Sequence, residues 1–534
     1  MSIIHGIDFR PSILRSALIG ALLCASIASV RADNDGPATE QWRPAIHYTP
    51  ARNWMNDPNG LIWHDGVYHL FYQYNPSASH WGNMSWGHAT SSDLVHWKEQ
   101  PVAMANNTRE EIFSGSIVFD KRNTSGLAVN GKPALVAVYT SVFKEGSGHE
   151  SGVQAQSLAY STDNGRTWKA YAKNPVLTLR PESKNFRDPK VSWYAPGGYW
   201  LMTTVVADAH VVKIYKSSNL IDWEFLSDFG PAGVAGNGVL WEMPDLFPLP
   251  LDGDANRPMW VMLVNINPGS IAGGSGVQYF VGTFDGKTFN AENLPVQGAD
   301  LSEHRWLDHG ADYYAAGTFA DAPDGRRVTI AWMSNWDYAD RVPTSPWRGA
   351  MALPRDLALR TIDGVPRLVS TPAREYLALV NGVAASRWKA LTVRSTTKPL
   401  DLANRTAPQD IDLVVEPYTA KRAGIVVAAA ADGSRQTRVY YDTKAGTLTV
   451  DRTRSGDTDF SPKLSGRHIV YLPLNQGKIH LKVVLDKSSL EVFAADGRTV
   501  ITDLVFPKAG DDRISLFAED GEARFSDIAV RPVR

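Results

Sequence analysis

"SSDLVHW", residues 91–97, is a small polar turn that hands the chain on to an aromatic side chain, and the sequence repeats it three more times. "STDNGRTW" ends at Trp168, "SSNLIDW" at Trp223 and "TFDGKTF" at Phe289, so successive aromatics lie 71, 55 and 66 residues apart. Around these turns run segments of strand length. "GVYHLFYQYN", "PALVAVYTS", "GGYWLMTTVV", "PMWVMLVNIN" and "RRVTIAWMSNW" are rich in β-branched and aromatic residues and are bounded by Gly, Asn, Asp and Pro. No long stretch repeats apolar residues at the helical period, so the chain reads as nearly all β. A recurrence of roughly 60 residues in all-β sequence is the mark of propeller blades of four strands each. The span 42–358 has room for about five such blades.

The texture changes after "MALPRDLALR". From residue 385 to 534 most Trp disappears, and short strands such as "AGIVVAAAA" and "RVYYDTKAGTLTVD" alternate with hairpin turns such as "TKAG" and "AADG". Regular turn spacing of this kind predicts a β-sandwich. The stretch 359–384 reads as a linker between the two domains, and the carboxylates of the C-terminal half read as surface residues with no chemistry.

Composition narrows the function. The 534 residues hold 54 basic and 56 acidic side chains, a net charge of −2, so no basic field points to nucleic acid. At the N-terminus, "SALIGALLCASIASV" follows Arg15 and is an apolar run of signal-peptide length, giving residues 1–32 as an export signal with a cleavage site near Val30-Arg31-Ala32. The expectation is a secreted protein with no membrane attachment after cleavage. The single Cys24 lies inside that run, so the mature chain would have no thiol chemistry. No His spacing such as HExxH occurs among the 13 histidines, and neither a metal nor a cofactor is expected.

A propeller gathers its functional residues from different blades, so they should be far apart in sequence. Three carboxylates fit: Asp57 in "NWMNDPNG", Asp188 in "NFRDPK" and Glu242 in "LWEMPDLF". Each sits in an apolar or aromatic setting and is closely followed by Pro. Arg187 beside Asp188 should hold that carboxylate ionised. Trp241 and Met243 flank Glu242 with apolar bulk, the setting that suits a general acid.

These motifs, with "FSGS" (113–116), in this order and at these distances, resemble those of glycoside hydrolase family 32, the β-fructosidases. The likeness extends over about residues 43–530. It implies a five-bladed β-propeller followed by a C-terminal β-sandwich. Carried onto matching positions, it makes Asp57 the nucleophile, Glu242 the acid/base and Asp188 the stabiliser of the transition state. A retaining double displacement of this type needs the two reacting carboxyls about 5–5.5 Å apart. The resemblance also implies that Asn56, Gln73, Trp81, Phe113, Ser114, Arg187 and Trp336 bind a terminal fructose. Trp332 competes with Trp336 for that role, and Trp54 should support its loop. Family members commonly have Cys where this chain has Met243. The implied partner is a fructan (levan or inulin) or sucrose, cut from the chain end. A fructosyltransferase or a non-catalytic fructan-binding propeller on the same scaffold are the alternatives.

Overall fold

The computed structural model describes residues 40–296, 298–396, 399–404 and 408–533. The export-signal segment and Cys24 lie outside the described residues.

Five inner strands form a closed ring: Asn53–His64, Glu110–Phe119, Phe186–Tyr194, Leu240–Leu251 and Tyr314–Thr318. Each packs against the next, and the fifth packs against the first. The first four each lead into an antiparallel blade of four consecutive strands. The fifth blade is built from Tyr314–Thr318, Arg327–Trp332, Arg355–Ile362 and Val365–Pro372. The ring is fastened where Trp347–Arg348 pairs in parallel with the first inner strand, Asn53 opposite Trp347. This is a five-bladed propeller.

The recurring turn connects the third and fourth strands of the first four blades. Its polar residue caps the turn: Asp93 accepts from the backbone of Val95 and His96, Asn219 from Ile221 and Asp222, and Asp285 from Lys287 and Thr288. The Trp then folds back, so that the indoles of Trp97, Trp168 and Trp223 donate to the carbonyls of Leu94, Gly165 and Leu220. The repeat therefore encodes a local hydrogen-bonded unit, which is why it is visible in sequence.

The fifth blade lacks that unit, and residues 359–384 are not an open linker. They continue the blade as the hairpin Arg355–Ile362/Val365–Pro372 and then form the helix Arg374–Asn381. The hairpin turns at Asp363-Gly364, both at positive φ (51° and 77°), which is the Asp-Gly signature of a two-residue hairpin loop.

Beyond the helix, two six-stranded antiparallel sheets pack face to face as a sandwich around a Val, Leu and Ile core. Several of its carboxylates are buried, contrary to the surface role expected of them, because the sandwich packs on the propeller through ion pairs. Arg355 of the fifth blade bonds Asp308 at 2.8 Å and Glu491 at 2.6 Å. His47 bridges Asp486 and Glu491 at 2.7 and 2.8 Å, and Arg452 meets Asp312 at 2.6 Å. Among the described residues no helix is long and apolar enough to cross a membrane.

Candidate active site

All five inner strands break register at the same level of the ring. The first slips between Met55 and Pro58, the second between Phe113 and Gly115, and the third between Arg187 and Lys190. The fourth slips between Glu242 and Asp245, and the fifth between Tyr314 and Gly317. A bulge bends the strand and re-aims its side chains. Pro58, Pro189 and Pro244 sit in or beside three of these bulges. Proline has no N–H to offer a ladder, so the sequence forces the break just past each carboxylate. Asp188 (φ 61°), Met243 (φ 48°) and Ala315 (φ 54°) take up left-handed backbone there. Each such residue costs on the order of 1–3 kcal/mol and is held only by its surroundings. Those surroundings are specific. The Asp188 N–H donates to Thr140 Oγ1 (3.0 Å), Thr204 Oγ1 donates to the Arg187 carbonyl (2.6 Å), and Asn265 Nδ2 donates to the Met243 carbonyl (3.1 Å).

The bulges aim side chains into one pocket of about 340 Å³. All ten residues singled out from the sequence line it: Asn56, Asp57, Gln73, Trp81, Phe113, Ser114, Arg187, Asp188, Glu242 and Trp336. Trp81 stands at the rim, 44% exposed, edge-on to Phe113. Trp54 is fully buried behind the wall, where its indole donates to Asn56 Oδ1 (2.8 Å) and its ring stacks on Trp336 (5.7 Å). Trp332 is buried in the same cluster and does not reach the pocket, whereas Trp336 does.

Asp57 accepts from Ser114 Oγ (2.8 Å) on one oxygen and from Asn56 Nδ2 (3.0 Å) on the other. Burial, and next the charge of Glu242, push its carboxyl up to about 6 despite those two bonds. Asp188 is corrected by the structure. Arg187 was expected to hold it ionised, yet burial pushes it upward, with the charges of Glu242 and Asp57 adding to that push and Arg187 opposing it. The geometry explains the outcome. Arg187 stands 3.8 Å from Asp188 but spends its donors on Glu242 Oε1, from Nη2 at 2.9 Å and Nε at 3.2 Å. What Asp188 receives instead is the backbone N–H of Met243 at 3.0 Å.

The surroundings of Glu242 also differ from expectation. Trp241 does not wall it, because strand alternation turns the indole outward into the core, against Phe229 and Phe280. Met243 packs against the apolar cluster that holds Trp54 and Tyr314. Glu242 is gripped by polar groups: Arg187 on one oxygen and the Tyr314 hydroxyl, which donates to Oε2, on the other. Burial first, and the charge of Glu242 second, push the Tyr314 hydroxyl well above its ordinary value, so it remains a donor.

Tyr314 escaped the sequence reading. In "ADYYAAG" it cannot be told from Tyr313, and only the strand's alternation sends Tyr313 under the Arg355 guanidinium (3.9 Å) and Tyr314 toward the axis. Gln154, Leu240 and Asn267 also line the pocket and carry no local signal beyond the Asn-Pro in "NINPG". Among the described residues no cluster of His, Cys, Asp or Glu could hold a metal ion.

An acceptor-only carboxylate, a second carboxyl gripped by donors and a third beside them in one pocket can cleave an acetal by acid–base and nucleophilic chemistry. The comparisons agree. Residues 47–372 match the glycosyl hydrolases family 32 N-terminal domain, and residues 375–532 match the family 32 C-terminal domain. The chain is 41% identical to a levanase of Bacillus subtilis, over 98% of this chain and 75% of that protein. It is 40% identical to the extracellular exo-inulinase of Aspergillus ficuum, over 88% of this chain and 90% of that protein. The crystal structure of the exo-inulinase from Aspergillus awamori superposes with a TM-score of 0.86 at 38% identity, covering 93% of this chain and 98% of that one. Two family domains that together span the described chain, joined to a three-carboxylate pocket at the propeller mouth, make this chain a glycoside hydrolase belonging to glycosyl hydrolase family 32.

Proposed function

We propose that the enzyme removes terminal β-D-fructofuranosyl units from levan or inulin, and from sucrose, by a retaining double displacement. The observation that carries the reading is the shape of the pocket. Its mouth holds the three carboxylates, while below Asp188 and Met243 the axial channel narrows to a cavity of about 20 Å³. That is room for about one water molecule. The pocket is therefore closed below the carboxylates, a form that suits a single terminal sugar entering from the mouth.

In the first step Asp57 attacks C2 of the terminal fructose while Glu242 protonates the departing oxygen, so one C–O bond forms as the other breaks. In the second, Glu242 takes a proton from water and the water oxygen displaces Asp57 from C2. Arg187 and Tyr314 hold the Glu242 carboxyl in place through both steps. Asp188, kept in position by the Met243 N–H, receives sugar hydroxyls, as do Asn56, Gln73, Ser114 and Arg187. Trp81, Phe113 and Trp336 offer apolar surface to the ring. The levanase and exo-inulinase names of the relatives support the substrate class.

The chain is also proposed to be exported. The relative from Aspergillus ficuum is described as extracellular, and the apolar run before residue 32 supports the same for this chain. N-terminal sequencing of the mature protein tests the cleavage.

Chromatography of products from levan, inulin and sucrose over time tests the activity. Free fructose as the sole small product from the first time point is expected. Early oligosaccharides would show internal cleavage, and lengthening products would show transfer to sugar.

A further inference from the structure

The inner strands run through the ring, so their two ends open on opposite faces of the propeller. Asp188 lies at the catalytic mouth, and Trp193, five residues on, is about 16 Å further along the axis. There the second, third and fourth inner strands end in a second cavity of about 650 Å³, larger than the catalytic pocket. The narrow channel segment shared by Asp188 and Lys190 separates the two.

This cavity has an unbalanced charge. Its lining contains Lys121, Arg122, Lys190 and Arg327 against only Asp245 and Asp321. Lys190 pairs with Asp245 at 3.3 Å and donates to the Thr318 carbonyl. Asp245 is further engaged by the N–H and hydroxyl of Thr318, at 2.9 and 2.8 Å. All three contacts fall on the Asp245 Oδ2 oxygen. Arg327 is not so served. Its plane lies over the Phe247 ring at 4.8 Å, its Nη1 reaches Thr318 Oγ1 only at 3.5 Å, and its buried Nε has no hydrogen-bond partner among the described residues. Asp245 first and Asp321 second are near enough to act on it through space, but neither forms an ion pair with it among the described residues. Arg122 rests on the Trp193 ring at 4.7 Å and has no carboxylate paired with it among the described residues.

A buried guanidinium with an unmet donor is costly unless an anion shares the site. Burial pulls both Lys190 and Arg327 below their ordinary values against the opposing charge of Asp245, which is bonded to Lys190 but not to Arg327. Aromatic walls at Trp193 and Trp260 give a ligand body something to rest on.

We propose that the far-end cavity binds a small carboxylate- or phosphate-bearing solute, with its charge on Arg327 and the Lys121–Arg122 rim. The site is separate from the catalytic pocket and does not depend on the sugar specificity of that pocket.

The test is isothermal titration calorimetry of the full chain in a low-salt Tris buffer, with inorganic phosphate and citrate as separate titrants. One-site binding of at least one of them is expected, weakening as sodium chloride rises. Arg327→Met keeps the stem on Phe247 and should weaken binding more than tenfold. Arg122→Met, at the exposed rim, should weaken it several-fold. Levan hydrolysis by both variants should stay within twofold of the parent. Failure of both anions to bind overturns the proposal, as does unchanged affinity in Arg327→Met. Displacement of the anion by fructose would also overturn it, by moving the site to the catalytic pocket. If Arg327→Met does not fold, unchanged affinity in Arg122→Met overturns it on its own.

Discussion

Asp57→Asn should make the protein more stable while abolishing its activity. In the folded chain the Asp57 carboxyl is pushed from its ordinary value of 3.8 up to about 6, by burial first and by the charge of Glu242 second. Between these two values the folded protein holds a proton that the unfolded chain has released, so stability falls as pH rises through that window. A shift of about two units corresponds to about 3 kcal/mol lost above pH 6. The carboxyl keeps one face toward the pocket, so this is an upper bound. The amide also turns an N–H₂ toward Ser114 or Asn56, which returns about 1 kcal/mol. The net expectation is a gain of about 1–3 kcal/mol at pH 7.5, disappearing near pH 4. With roughly 2.1 cal/mol/K of unfolding entropy per residue, a chain of this size should gain about 1–3 °C in Tm. Urea and thermal unfolding at pH 4 and 7.5, followed by Trp fluorescence, measure the gain, and fructose release from levan measures activity. Activity should fall by several orders of magnitude. A variant less stable than the parent at pH 7.5, or an equal difference at both pH values, would refute the electrostatic reasoning. Near-normal activity would sink the nucleophile.

Four further outcomes are expected. Glu242→Gln should lose activity on levan by orders of magnitude but far less on an aryl fructoside, whose leaving group needs little protonation; equal losses on both would count against the acid role. Trp336→Ala should lower kcat/KM on fructan with little change in urea unfolding, whereas Trp332→Ala, deep in the same cluster, should cost about 3–5 kcal/mol of stability; the reverse pattern would show that the wall has been misassigned. Arg355→Ala leaves Asp308 buried without its cation and Glu491 with His47 alone, and should cost about 3–5 kcal/mol in urea unfolding, so a neutral result would remove the ion pairs from the account of domain packing. Exhaustive dialysis against EDTA should leave fructose release unchanged, since Asp57, Asp188 and Glu242 already take their hydrogen bonds from protein donors; loss restored by a divalent ion would contradict this.

The sequence by itself determined what depends on neighbours along the chain. The Ser/Asp turns with their following Trp announced the blades, because each unit closes its own hydrogen bonds within a few residues. The Pro after each carboxylate marked the strand breaks, because a missing N–H acts wherever the chain folds. Ten of the residues that line the pocket were legible too, as they cluster in or beside those breaks or belong to motifs with a family likeness, whereas Gln154 and Asn267 were not. The Asp363-Gly364 hairpin signature is equally local.

Tertiary structure alone decided the partners. Arg187 is adjacent to Asp188 in sequence but bonds Glu242, 55 residues away, and so Asp188 rises where sequence proximity predicted an ionised group. Strand alternation in a closed ring turned Trp241 away from Glu242 and chose Tyr314 over Tyr313 to face it. The buried carboxylates Asp486 and Glu491 could not be told from surface ones, because their cations come from the other domain. Charge, burial and hydrogen bonding act through space over a few ångströms. Where that space is filled by residues from distant blades, the chain's order carries no record of it.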